Sequence, residues 1–421
     1  MFCRSLLTIV VAAVHASSVA AAAVAASTGG PAGCVTFDVH WNLLAFGFNG
    51  KDYNAGAQDT WSSSTGSLTD ITATGRPPFN SVNTTCYLSQ FTNAIYILNA
   101  DTANPSSIYI YDATASTWST QQVVTGTFDP SNFATILDHD TNVFYAFSNG
   151  ELFSLDMALL KAASSTPIPW VDVQKPDLPS GYQPVMALAQ NHVHFLDVPG
   201  LPAGSARIFV IHFSFLQPEP QSYGSFPNTH GRTTSFFLDS GVQQEFAYIP
   251  DDGSATYVIN VESNTTKTLT GPTQKDPFAT YSASTSALVQ LTTSGNVAFL
   301  AYDPNTTTSG KQHFFPLLTQ NIKDAYTNDF DKGGTWNTIS KIPVATFVSS
   351  NSGSNTSSSA SGSASGSAST ATSTSTGSSS SGSNGNSTGG SSSVRAAVQS
   401  GSILWVGMAF GVSLSSVGLL M

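Results

Sequence analysis

Charge is scarce in this chain. Asp, Glu, Lys and Arg make up 9% of its 421 residues, and the balance is −11. A nucleic-acid surface needs clustered Lys and Arg to neutralise phosphates, so that partner class is excluded. Helical periodicity is also nearly missing. The one candidate, Leu155 to Ala163, is short, and an α-rich fold is excluded with it. There is no G-x-S-x-G elbow, no H-E-x-x-H and no G-x-x-x-x-G-K, so no serine hydrolase, zinc protease or nucleotide-phosphate site is called for. Cysteine numbers three. Cys3 falls in the leading apolar segment, which leaves Cys34 and Cys86 as an even pair and one disulfide as the default in an oxidising compartment.

What is present speaks first at the two ends. Arg4, an apolar run from Leu6 to Val14 and a stretch of Ala and Ser read as a secretory signal peptide over residues 1–26, with cleavage between Ala16 and Ala26. The run is too short to cross ~30 Å of hydrocarbon. From Ser349 to Ser393 the chain is almost wholly Ser, Gly, Thr, Asn and Ala, a composition that cannot repay its ordering entropy and reads as a stalk. Residues 394–421 then supply a short spacer and an apolar tail from Ser402 to Met421. Small residues, spacer and apolar tail are the three parts of a GPI-attachment signal. A plain membrane span would be followed by cytoplasmic Lys or Arg, and nothing follows Met421. The expected attachment residue is one of Gly389, Gly390, Ser391, Ser392 and Ser393. N-glycosylation sequons stand at Asn83, Asn264, Asn305, Asn355 and Asn386. The expected location is extracellular, anchored to the outer face of the plasma membrane or the cell wall.

Residues 34–347 form the folded part. Short runs of β-branched and aromatic residues alternate there with Asn, Asp, Gly and Pro clusters, which makes the fold class all-β. One unit sets the plan: Tyr87 to Asn93, Ala94 to Asn99, Ser107 to Asp112 and Trp118 to Val124. Similar sets of four recur, with first strands expected to begin near Val35, Tyr87, Phe133, Val185, Ser235 and Ala287. In the last set the third strand is expected over Gln312 to Leu318, and in the first Asp59 to Trp61 fills the third place. Four strands at such a period are the signature of a β-propeller, here of six four-stranded blades, with room for a seventh in the loosely spaced C-terminal part. A Cys34–Cys86 bridge would then staple the first strands of blades one and two.

The string Ile108-Tyr109-Ile110-Tyr111-Asp112, followed by Trp118, resembles the second half of a kelch repeat, and Gly150 to Asp156 with Trp170 is a weaker echo. The Gly-Gly doublet of kelch repeats is missing from every blade. The layout is also similar to GPI-anchored surface proteins of filamentous fungi. Galactose-oxidase-like copper enzymes share the kelch propeller, and their cofactor implies a cysteine thioether-bonded to a tyrosine plus two histidines. Both cysteines here are taken by the expected bridge. His192 and His194 share one face of a strand, but no further ligands accompany them. No cofactor and no metal is expected.

Other residues weighed for chemistry read first as structure. Asp138-His139-Asp140 falls where a hairpin turn is needed, and so does Pro250-Asp251-Asp252-Gly253-Ser254, which superficially resembles a sialidase Asp-box. A sialidase would need an arginine triad, whereas Arg76, Arg207 and Arg232 hold no comparable blade positions. A glycosidase needs two carboxylates facing one bond, which spacing alone does not place. Trp41, Tyr53 and Trp61 would suit stacking on a sugar if exposed, though packing between blades is the commoner fate of such rings. The expected function is that of a monomeric surface protein whose propeller binds a glycan or a surface protein, with the membrane reached through the anchor. The alternative is an extracellular hydrolase or oxidase in the central pocket, marked by carboxylates or histidines converging on the channel mouth.

Overall fold

The computed structural model describes residues 29–62, 67–239, 243–305 and 334–347. Six antiparallel sheets form six blades of a propeller. From the channel outward, blade 1 is Cys34–Phe37, Leu43–Phe48, Lys51–Asn54 and Thr69–Asp70. Blade 2 is Thr85–Ser89, Ala94–Leu98, Ile108–Asp112 and Thr117–Gln121, and blade 3 is Ala134–Asp138, Val143–Ser148, Glu151–Asp156 and Val171–Gln174. Blade 4 is Val185–Ala189, His192–Leu196 and Ser205–Val210, edged by two short pieces, Phe215–Leu216 and Gln221–Ser222. Blade 5 is Gly231–Ser235, Glu245–Pro250, Ala255–Asn260 and Thr265–Thr270, and blade 6 is Thr280–Ala283, Ala287–Leu291, Val297–Ala301 and Asn337–Thr338.

Local sequence accounts for these hairpins. Asn49-Gly50 and Asn149-Gly150 both take positive φ, at 55° and 80° and at 52° and 86°. Two successive left-handed residues make the turn whose twist matches a strand pair, and Asn-Gly adopts it most cheaply. The flanking registers, Phe48 opposite Lys51 and Ser148 opposite Glu151, follow from those turns. Each of the six seams between neighbouring blades holds one buried apolar cluster. A single blade cannot bury both faces, so the ring stands or falls as a whole.

Four details depart from the sequence reading. Blade 5 begins at Gly231 rather than Ser235, and blade 6 at Thr280 rather than Ala287, whose strand is the second of its blade. The third strand of blade 1 is Lys51–Asn54, while Gln58–Thr60 is a single 3-10 turn. Leu155 to Ala163 is not helical: the strand runs to Asp156, whose carboxylate then accepts the Ala158 N–H and turns the chain. The ring closes with six blades, leaving no place for a seventh, as blade 6 packs directly on blade 1. The third place in blade 6, expected at 312–318, is taken by Val297–Ala301, and residues 312–318 lie outside the described residues. So do residues 1–26, 349–393 and 394–421, with Asn355, Asn386 and Gly389 to Ser393.

Closure uses no exchanged strand: blade 1 is wholly N-terminal and blade 6 wholly C-terminal. The seam between them is apolar, with Trp61 edge-on to Phe299 at 5.1 Å and Val35, Phe37 and Leu43 packed with Val289 and Ile339. The chain leaving blade 6 then runs back onto blade 1, with Ile342 and Ala345 buried in the same seam. Lys341 Nζ donates to the Thr60 carbonyl and hydroxyl at 3.1 and 2.8 Å. Asn49 Nδ2 donates to Val344 O at 3.0 Å, and Thr346 N donates back to Asn49 Oδ1 at 2.8 Å. Cys34 and Cys86 are disulfide-bonded with Cα atoms 5.9 Å apart, joining the inner strands of blades 1 and 2 as expected.

Candidate functional site

The six inner strands enclose a central channel of about 510 Å³. That volume lies in the usual range for small-ligand sites. Its two ends are built from different loops. The turns from first to second strand gather at one end and the blade-to-blade connections at the other, because the inner strands all run the same way.

At the turn end three alternate blades meet. Phe237 of blade 5 lies 4.5 Å from the His139 ring of blade 3 and 5.1 Å from the Trp41 ring of blade 1. Phe237 is buried and its N–H donates to Ser284 O of blade 6. These rings fill the floor of the channel. Burial there lowers the His139 pKa to about 4, partly offset by a hydrogen bond with the Leu88 backbone. The ring is therefore neutral near pH 7 and packs as an aromatic.

The walls are hydroxyl-rich, but several of those groups are already spent on joining blades. Tyr87 OH donates to Thr135 O at 3.0 Å, Ser235 Oγ to Leu188 O at 2.6 Å, and Thr233 Oγ1 to Met186 O. Burial pushes the Tyr87 phenol up to about 12, so it remains a donor. At the mouth, Asn83, Ser131, Asn132, Gln183 and His230 rim the opening. A side lobe of about 490 Å³ continues the mouth between blades 3, 4 and 5.

Among the described residues, neither the channel nor the lobe is lined by a single Asp or Glu. The paired carboxylates that a glycosidase requires are thus not brought together there. The basic side chains that line the mouth are Arg232, His230 and, in the lobe, Lys175. Among the described residues no cluster of His, Cys, Asp and Glu suits a metal ion.

The residues singled out in the sequence take structural places. Asp138 is fully buried at its hairpin, where its carboxylate accepts Thr141 Oγ1 at 2.5 Å and its carbonyl accepts Asn142 N at 2.8 Å. Burial raises its pKa. Asp252 Oδ1 caps Ser254 N at 2.8 Å within the blade 5 hairpin. His194 is buried in the seam between blades 4 and 5, with Nε2 3.0 Å from Tyr223 OH, and burial lowers its pKa to about 3. It is a core histidine and not half of a metal pair. Trp61 is 1% exposed with Nε1 bonded to Gly56 O, so it offers nothing to a sugar. Trp41 and Tyr53 are half-buried against the apolar seams. Arg76 is clamped by Asp52 through two bonds of 2.8 and 2.7 Å.

Three sequons fall within the described residues. Asn83 and Asn264 are exposed turn residues with φ of 62° and 54°. Asn83 Oδ1 accepts Gly30 N at 2.7 Å and the residue borders the channel mouth, while Asn305 is half-buried, its Oδ1 accepting Asp239 N at 3.1 Å. Sequence reasoning missed Arg232 as a channel residue, since its strand was placed four residues too late.

No protein-family model matches the chain, and no curated protein matches it. Among solved structures, it is similar to a chain in the crystal structure of a nidogen/laminin complex, with a TM-score of 0.36 and 10% identity over 58% of this chain and 81% of that one. It is also similar to YjhT, with a TM-score of 0.39 and 10% identity over 66% of this chain and 96% of that one. At such distance neither likeness says what this chain binds.

Proposed function

We propose that this is a GPI-anchored protein of the outer cell surface or wall, carried on a glycosylated Ser/Gly/Thr stalk, whose propeller is a binding module with the ligand seated at the mouth of the central channel. The single observation that carries the binding reading is the channel itself: filled by aromatic rings at one end, open at the other, and free of Asp and Glu among its described lining residues. A pocket with hydrogen-bonding rims and no paired carboxylates is suited to holding a ligand. The anchor reading is supported by the small-residue run to Ser393 and the apolar tail ending at Met421. A glycan on Asn83 would stand beside the opening and narrow the range of ligands that reach it.

The test has two stages. Phosphatidylinositol-specific phospholipase C releases the protein from intact cells, and the released protein is applied to a glycan array. The reading expects release and selective retention of a subset of sugars. Persistence on the membrane after lipase treatment contradicts the anchor, and an array with no retained member contradicts a glycan ligand.

A further inference from the structure

We propose that the side lobe at the channel mouth is an oxyanion site, taking the carboxylate or phosphate of a small ligand between Arg232 and Lys175. This deepens the binding reading above and rests on it.

The argument begins with charge. The chain carries −11, yet the lobe is lined by three basic side chains and, among the described residues, no acidic one. His230 is already taken, its Nδ1 lying 2.7 Å from Asp251 Oδ2. Arg232 and Lys175 remain. Most other described cations are committed: Lys51 to Asp70, Arg76 to Asp52, Lys161 to Asp112 and Lys341 to Thr60. Arg232 Nε donates to Pro277 O at 3.1 Å, which fixes the plane of the guanidinium. Its two terminal nitrogens make no hydrogen bond among the described residues. A planar fork held by its Nε, with both ends free, is the donor geometry that matches an oxyanion bidentately. Lys175 supplies a mobile point charge from blade 3, and the Asn132 and Gln183 amides make no side-chain hydrogen bond among the described residues.

The rest of the lobe says what surrounds the anion. Phe133, Phe147, Leu178 and Tyr182 give it an apolar wall, and burial holds the Tyr182 phenol protonated. About 490 Å³ lies within the usual range for a small-ligand site. An acidic surface elsewhere repels anions at long range, so a local cationic mouth selects ligands by charge.

The test is isothermal titration of the full-length protein with three probes: trigalacturonate, glucose 6-phosphate and neutral galactotriose. At least one anionic probe is expected to bind, weakening as salt rises, and galactotriose is expected to be ignored. Arg232→Gln should lower the affinity of that probe by roughly tenfold or more, Arg232→Lys by less, because only the fork is lost. Comparison of the two anions tells a carboxylate site from a phosphate site. An unchanged denaturation midpoint for Arg232→Gln shows that the loss is not one of folding. The proposal is overturned if neither anion binds, if galactotriose binds equally well, or if Arg232→Gln retains full affinity. Galactotriose binding alone would remove this inference and leave the pocket reading standing. If all three probes and the array are blank, both fall.

Discussion

The two ends of the central channel are made by the same six blades and do opposite things. The floor draws Trp41, His139 and Phe237 from alternate blades and packs them ring to ring. The mouth draws Asn132, Gln183 and His230 from the blade connections and Arg232 from the start of the blade 5 inner strand, and leaves Asn132 and Gln183 exposed. With the proposed binding role, the difference teaches that stability and recognition would be divided along one axis. The apolar end holds the ring shut, and the polar end pays no packing penalty when its side chains change.

The sharpest way to break that division is to remove the floor. Phe237→Ala deletes a side chain that is 5% exposed and packed by two other rings, and should cost about 3 kcal/mol in urea denaturation. Arg232→Gln at the mouth should stay within about 0.5 kcal/mol of the parent. Equal losses from the two changes would dissolve the comparison.

A smaller effect sharpens it through pH. The His139 pKa is about 4 in the fold against an ordinary value of 6.5, so between those values the unfolded chain takes up a proton that the folded chain refuses. Stability from this residue is therefore full above pH 6.5 and is lost as pH falls toward 4. His139→Phe keeps the ring contact with Phe237 and cannot titrate. From pH 7 to pH 4.5 the parent should lose on the order of 2 kcal/mol more stability than the variant, read by urea denaturation at each pH. Identical pH dependence would place His139 in water rather than in the floor.

The same axis explains what the sequence showed and what it hid. The inner strand of blade 4, Val-Met-Ala-Leu-Ala, is apolar and buried throughout, and its position was legible to the residue. The inner strands of blades 5 and 6 read Gly-Arg-Thr-Thr-Ser and Thr-Tyr-Ser-Ala and are largely half-buried. They carry little hydrophobic alternation, so the eye moves on to the stronger apolar signal that follows, at Ser235 and at Ala287. The blade count survived that slip since the period is carried by the well-buried second and third strands. The Cys34–Cys86 bridge was legible from composition alone. The lobe was not: Lys175 and Gln183 sit in the connection from blade 3 to blade 4 while Arg232 comes from the inner strand of blade 5, some fifty residues further on, and no linear spacing joins them. Trp61 packs between blades, the commoner fate of such a ring, though nothing local reveals that it is Phe299 of the last blade that covers it.

The most direct test of the central claim needs no ligand. Ser282 lines the channel, and the one disulfide leaves no thiol in the described propeller to compete with a new cysteine. Ser282→Cys is labelled with the anionic sulfonatoethyl and the cationic trimethylammonioethyl methanethiosulfonates, and the rate ratio is compared with that of Ala115→Cys on the exposed outer surface. A channel with a cationic mouth and no lining carboxylate predicts a higher anion-to-cation ratio at Ser282→Cys, reduced when Arg232→Gln is added. A ratio equal to that at Ala115→Cys, or one favouring the cation, would contradict the account.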